Sequence, residues 1–170
     1  VRANEILIKV LEDITQEPMV RHEAAEALGA IGSVEVIELL KKYKEDPVTE
    51  VAETCELALE RIEYFQKNKD QKLVESAYHS VDPAPPCDMA NVKLLKDILL
   101  DDKASLFKRY TAMFALRNMG TKEAVLALCE ALKHGSALFR HEIAFVLGQL
   151  QHKDSVPYLT ESLADTTENE

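Results

Sequence analysis

Two short runs of the sequence place an imidazole beside a carboxylate, each time after an arginine. Arg21-His22-Glu23 opens the stretch 21–29 and Arg140-His141-Glu142 opens the stretch 140–148, and the two stretches are identical at six of nine positions. Imidazole nitrogen and carboxylate oxygen are donors for transition metals, and iron, manganese and zinc all suit that pair chemically. Neighbouring residues on a helix point about 100° apart, so both side chains can address one surface only if they straddle its centre. The spacing is not the His-Glu-x-x-His zinc helix, because Glu26 and Phe145 stand where the second His would be. A single His-Glu pair at a helix start is ordinary, since a first-turn glutamate suits the helix dipole. Two pairs in matched contexts make His22, Glu23, His141 and Glu142 the candidate metal donors.

Other chemical signals are weak. The sequence has no Gly-x-Gly-x-x-Gly, no phosphate loop and no Gly-x-Ser-x-Gly elbow. His79, His134 and His152 fall in expected loops or turns and read as solvent-facing. Met113, Phe114 and Phe145 lie at helical spacing and read as core.

The elements that must hold the two pairs are helices. Apolar residues recur at three and four positions in Ile6-Val10-Leu11-Ile14, Ala24-Ala27-Leu28-Ile31, Val51-Cys55-Ala58-Leu59-Ile62 and Phe139-Ile143-Val146-Leu147. The pattern predicts about nine helices of roughly ten to fifteen residues and no strand. Pro18 and Pro47 suit helix starts, where a missing N–H costs little. Gly29, Gly32, Gly120, Gly135 and Gly148 are expected near helix ends or inter-helix turns.

The chain also repeats itself. Stepping back 31 residues from Arg140, Leu147 and Leu150 reaches Arg109, Leu116 and Met119, and stepping forward 30 from Glu23 and Glu26 reaches Glu53 and Glu56. A unit of about thirty residues holding two helices is the mark of an α-solenoid, in which each helix pair buries its apolar stripe against the next. Tyr110, Thr111 and Ala52 occupy the His-Glu position in other repeats. Folding of the unit therefore does not require histidine there. The stretch from Phe65 to Ala90 breaks the pattern, being polar and then rich in proline at Asp82-Pro83-Ala84-Pro85-Pro86. It divides the chain into residues 1–65 (first-half repeats), 66–90 (linker) and 91–170 (second-half repeats).

Composition narrows the partners. The chain has 170 residues, 30 acids against 20 Lys and Arg, and a formal net charge of -10. The short basic run Lys67-Asn68-Lys69-Asp70-Gln71-Lys72 is interrupted by an acid, so nucleic acid is a poor match. No apolar run reaches the length of a membrane span, and the start carries no signal-peptide pattern. Cys55, Cys87 and Cys129 are odd in number and lack Cys-x-x-Cys spacing, which reads as reduced thiols of an intracellular protein.

Several longer motifs carry a family resemblance. Pro18-Met19-Val20-Arg21-His22-Glu23-Ala24-Ala25-Glu26-Ala27-Leu28-Gly29-Ala30-Ile31-Gly32 resembles the deoxyhypusine hydroxylases. So do Val51-Ala52-Glu53-Thr54-Cys55, Ser80-Val81-Asp82-Pro83-Ala84-Pro85-Pro86, and Gly135-Ser136-Ala137-Leu138-Phe139-Arg140-His141-Glu142. The resemblance implies an all-α fold: a superhelix of HEAT-like helix pairs in two related halves, with a di-iron centre to which each half supplies two His-Glu motifs. It implies a cytoplasmic monooxygenase that uses O2 to hydroxylate the deoxyhypusine side chain of translation initiation factor 5A, completing hypusine. By resemblance His22 and Glu23 are iron ligands, and so is His141. Glu142 matches a residue that holds the substrate amine more than it contacts iron.

The sequence departs from the family's pattern in extent. Leu11, Asp13 and Thr15 match Leu163, Asp165 and Thr167 at an offset of 152, so the counterpart of His22 falls four residues beyond Glu170 and that of His141 about a dozen before Val1. The sequence holds two of the family's four motifs, and the expectation is a central piece or shortened form, inactive or nearly so by itself. Two other readings stand beside this one. A non-catalytic helical-repeat scaffold would bind a protein on its concave face and ignore His22→Ala or His141→Ala. A relative of the phycobilin lyases would share the architecture but has no use for matched His-Glu pairs.

Overall fold

The structure, a computed structural model, describes residues 2–68 and 78–168. Lys69 to Lys72 of the interrupted basic run, and residues 69–77 of the expected linker, lie outside the described residues. The described chain is helical, with nine α-helices and two single 3-10 turns and no strand among the described residues. It forms two compact units, one made of residues 2–68 and 80–84, the other of 78–79 and 85–168. The α-solenoid class expected from the repeats is the one observed.

In the first unit, α1 (Arg2–Glu12), α2 (Pro18–Ile31), α3 (Ile37–Tyr43) and α4 (Thr49–Lys67) make two helix pairs. Helix α2 packs on α1 and α4, and α3 packs on α4. Its start and stop are written in the sequence. Pro18 takes the first helical position, and Gly32 ends the helix in the left-handed conformation at φ 72°, its N–H donating to the Leu28 carbonyl. Leu11, Leu28, Leu40, Val51 and Cys55 are fully buried between the helices. Ile6 and Ile14, expected on the buried stripe of α1, are exposed; Ile14 lies past the end of that helix, where the 3.6-residue period no longer applies.

Gly29 and Gly148, expected near helix ends, each lie in the last turn of a helix. A Cβ on Gly29 would come within 2.7 Å of the Ala58 Cβ, so the missing side chain lets α2 and α4 approach closely.

In the second unit, α5 (Val92–Leu99), α6 (Leu106–Met119), α7 (Lys122–Ala131), α8 (Ala137–Leu150) and α9 (Val156–Ala164) follow. Side chains of Asn91, Ser105, Thr121 and Ser136 cap α5 to α8 by accepting from the amide three residues on, which satisfies one orphan N–H each. Tyr110, Met113, Phe114, Phe139 and Ile143 fill the core of this unit. Phe145 does not join them and is 53% exposed. Helical spacing placed it one turn from His141, on the side of α8 that no other described helix covers.

The repeat arginine has a fold role. Arg21 donates from Nε to the Leu11 carbonyl at 3.0 Å, and Arg109 does the same to the Leu99 carbonyl at 2.9 Å. Each thereby caps an otherwise orphaned carbonyl at the end of the preceding helix. Arg21 also pairs with Asp46 at 2.5 Å, both side chains nearly inaccessible to water. Burial alone would raise the Asp46 carboxyl, but the Arg21 guanidinium and the Val48 amide outweigh it and hold it below its ordinary range. Arg140 instead grips the Gly135 carbonyl at 2.7 Å and the Glu168 carboxylate at 2.8 Å.

The matched pairs Asp13/Thr15 and Asp165/Thr167 form the same turn. In both, the threonine amide and hydroxyl donate to one aspartate oxygen, at 3.0 and 2.6 Å in the first and 2.9 and 2.7 Å in the second.

The proline-containing stretch is tied at both ends. Helix α4 runs through Lys67, Arg61 donates to the Asp82 carbonyl at 3.1 Å, and Ala84 is fully buried. The Cys87 amide donates to the Thr111 carbonyl at 3.2 Å.

Candidate metal centre

His22 and Glu23 sit in the second turn of α2, where the close approach of α4 buries one and spares the other. His22 is 1% exposed, while the Glu23 side chain is 68% exposed. The imidazole Nδ1 lies 3.2 Å from the Thr54 hydroxyl on α4. That hydroxyl donates back to the Glu50 carbonyl one turn earlier at 2.7 Å. The other ring nitrogen, Nε2, is 3.5 Å from the Glu23 carboxylate. Two donors held by bonds of about 2.1 Å to one ion at ordinary coordination angles stand about 3.0–3.4 Å apart. The nitrogen and oxygen of this pair therefore fit one metal ion with a small side-chain adjustment, and their chemistry suits iron, manganese or zinc alike.

Glu26 lies one turn further along the same face. It is half-buried, and burial, with the Glu23 charge adding to it, pushes its carboxyl above the ordinary range. A cation placed nearby would relieve it.

In the second unit the pair is arranged the other way. His141 is exposed and Glu142 is half-buried, both in the second turn of α8. The stripe that α4 covers on α2 is open on α8: a Cβ on Gly148 would meet nothing within 4 Å, where the matched Gly29 meets Ala58. Among the described residues no three His, Cys, Asp or Glu side chains gather into one metal-binding group. Each unit thus brings one His-Glu pair and no complete ligand sphere of its own.

The remaining histidines are not part of these pairs. His79 is exposed in a loop at φ 54°, and His134 is half-buried in the turn after α7. His152 caps the 3-10 turn Lys153–Ser155, its Nδ1 accepting from the Asp154 amide at 3.2 Å. The three thiols are free, and burial pushes Cys55 up to about 12 and Cys129 to about 11, so both are neutral and inert near neutral pH.

Thr54 is the residue that inspection of the His-Glu runs passes over. The signals that point to it are the repeat length, which sets positions about thirty residues apart side by side on neighbouring helices, and its place in the Val51-Ala52-Glu53-Thr54-Cys55 motif.

Comparison with known proteins bears on the family. Residues 2–60 and 92–170 match the family of HEAT repeats. The chain is 58% identical over 168 residues to deoxyhypusine hydroxylase of Rattus norvegicus, covering 99% of this chain and 56% of the relative. It is 58% identical over 171 residues to that of Drosophila melanogaster, again over 99% of this chain and 56% of the relative. The solved structure of human deoxyhypusine hydroxylase in complex with glycerol superposes with a TM-score of 0.95 at 58% identity, covering 99% of this chain and 58% of that one. The chain spans little more than half the length of these relatives. The chain belongs to the HEAT-repeat family, and over nearly all of its own length it is similar to the deoxyhypusine hydroxylases.

Proposed function

We propose that the chain carries part of a deoxyhypusine hydroxylase, acting on the deoxyhypusine side chain of translation initiation factor 5A to form hypusine in the cytoplasm. The observation that carries the reading is the His22-Glu23 pair, with a buried ring nitrogen 3.5 Å from a carboxylate oxygen, at the position where the repeat itself does not need histidine. His22 and Glu23 would hold iron in the first unit and His141 in the second. Bound iron supplies the means to use O2 as co-substrate. Glu142 would pair with the ammonium of the substrate side chain, a charge-assisted contact that fixes the long chain's end. The excess of acids over bases favours approach of such a cation. No helix among the described residues is long and apolar enough to cross a membrane.

By itself the 170-residue chain is expected to turn over little or nothing, because two His-Glu pairs leave too few protein ligands for two irons. Iron per chain, measured after expression in iron-supplemented cells without a histidine tag, tests this. Iron that co-purifies and falls in both His22→Ala and His141→Ala supports the assignment. No iron in any version of a folded chain favours the scaffold reading.

A further inference from the structure

Beyond the ligands themselves, we propose that Thr54 is a positioning residue that fixes the ring tautomer of His22, holding the proton on Nδ1 and leaving Nε2 as the donor nitrogen. The inference rests on the reading of His22 as a metal ligand, but the ring tautomer can be measured without metal.

The argument begins with the proton count of a hydroxyl. Threonine has one O–H to give and two lone pairs. Thr54 Oγ1 lies 2.7 Å from the Glu50 carbonyl and 3.2 Å from His22 Nδ1. The shorter contact takes the proton, as the back-bond of threonine to the carbonyl four residues earlier commonly does. The oxygen can then only accept from the ring, so Nδ1 must carry hydrogen. The opposite tautomer would set a ring lone pair against an oxygen lone pair at a buried site, or force Thr54 to give up its shorter bond. Thr54 is 4% exposed and His22 1%, so water is poorly placed to repair either mismatch.

The competing pull comes from Glu23, whose carboxylate 3.5 Å from Nε2 would accept a proton placed there. That contact is at the limit of hydrogen-bond length and its carboxylate is largely solvated, so it is the weaker of the two.

The backbone supports the same arrangement. Thr54 and Ala58 are one turn apart on α4. Ala58 seats against Gly29, where a side chain would come within 2.7 Å, and this close approach sets the helix spacing at which the Thr54 hydroxyl reaches the ring. A ligating histidine held at its second nitrogen by an outer partner has its orientation set before the metal arrives, and loss of such a partner costs about 10–100-fold in metal affinity.

The test uses the whole 170-residue chain, metal-free and at pH 8, above the usual histidine range. Long-range proton–nitrogen correlation spectra of the labelled chain, with His22→Gln identifying the resonances, read which ring nitrogen bears hydrogen. The expected result is protonated Nδ1 in the parent and in Thr54→Ser, and a shift toward protonated Nε2 in Thr54→Val, with all three folded by circular dichroism. Cobalt(II) titration should weaken about 10–100-fold in Thr54→Val and recover in Thr54→Ser. Protonated Nε2 in the parent chain, or an unchanged tautomer in Thr54→Val, would overturn the proposal. If the tautomer behaves as expected but the parent binds no cobalt, the ligand reading of His22 fails while the hold of Thr54 on the ring stands.

Discussion

Glu26, one turn beyond Glu23, is a carboxylate held in an environment that opposes its charge. It is half-buried beside the like charge of Glu23, and both effects raise its carboxyl. In the unfolded chain the same group titrates normally, so folding penalises its ionised form. The penalty is absent where both states are protonated, grows as pH rises from the unfolded value through the raised folded value, and is full above it. Glu26→Gln should therefore raise the Tm of the metal-free chain at pH 7, and the gain should vanish as pH drops toward the acid range. Thermal melts of both proteins from pH 4 to 8 give the answer; a gain independent of pH would mean that the carboxylate charge is not the cause. At this scale the sequence was legible in part. His22 and His141 could be singled out because Tyr110 and Ala52 take the same place in other repeats. The burial of His22 against the exposure of His141 could not, because it depends on which helix lies over each.

Two glycines at matched places in the two units separate packing from propensity at the level of helices. Both lie inside a helix, where glycine costs roughly 0.5–1 kcal/mol relative to alanine. A Cβ added to Gly29 would lie 2.7 Å from the Ala58 Cβ and 3.0 Å from the Ala58 Cα, neither of which can swing away. A Cβ added to Gly148 would meet nothing within 4 Å. Gly148→Ala should accordingly stabilise by about 0.5–1 kcal/mol. Gly29→Ala should destabilise by about 1–3 kcal/mol, since forcing α2 from α4 outweighs the gain in propensity. Urea denaturation of the two variants measures both, and a destabilised Gly148→Ala would show that another surface covers α8 in solution. Helix existence was readable from the three- and four-residue spacing, and so were the starts and stops at Pro18, Gly32 and Gly120. The departures share one cause. Ile6 and Phe145 satisfy the periodicity of a buried stripe, yet are 61% and 53% exposed, because periodicity marks a face and not the presence of a neighbour to cover it.

For the molecule as a whole, charge is the property that composition fixes most directly. Thirty acids against 20 Lys and Arg leave a formal net charge of -10, which opposes compaction through mutual repulsion. The exposed ion pairs act against this in part. Lys41 with Glu38 at 2.8 Å and Lys133 with Glu161 at 2.6 Å are solvated pairs, each of which adds little to stability. Salt weakens both effects at once, so its net influence depends on which is larger. The acids outnumber Lys and Arg by 30 to 20, and the Debye length falls from about 30 Å at 0.01 M to about 8 Å at 0.15 M, so repulsion between distant like charges is screened more than attraction within close pairs. Repulsion should therefore lose more than the pairs do, and Tm should rise by a few degrees from low to physiological sodium chloride. Association with the proposed cationic amine substrate should respond in the opposite sense, weakening over the same range because attraction between unlike charges is what the salt screens. Calorimetric melts and binding titrations across one salt series read the two slopes together. Slopes of opposite sign would tie both to the acidic surface, whereas a Tm that falls with salt would mean that the ion pairs, and not the net charge, dominate the stability of the chain.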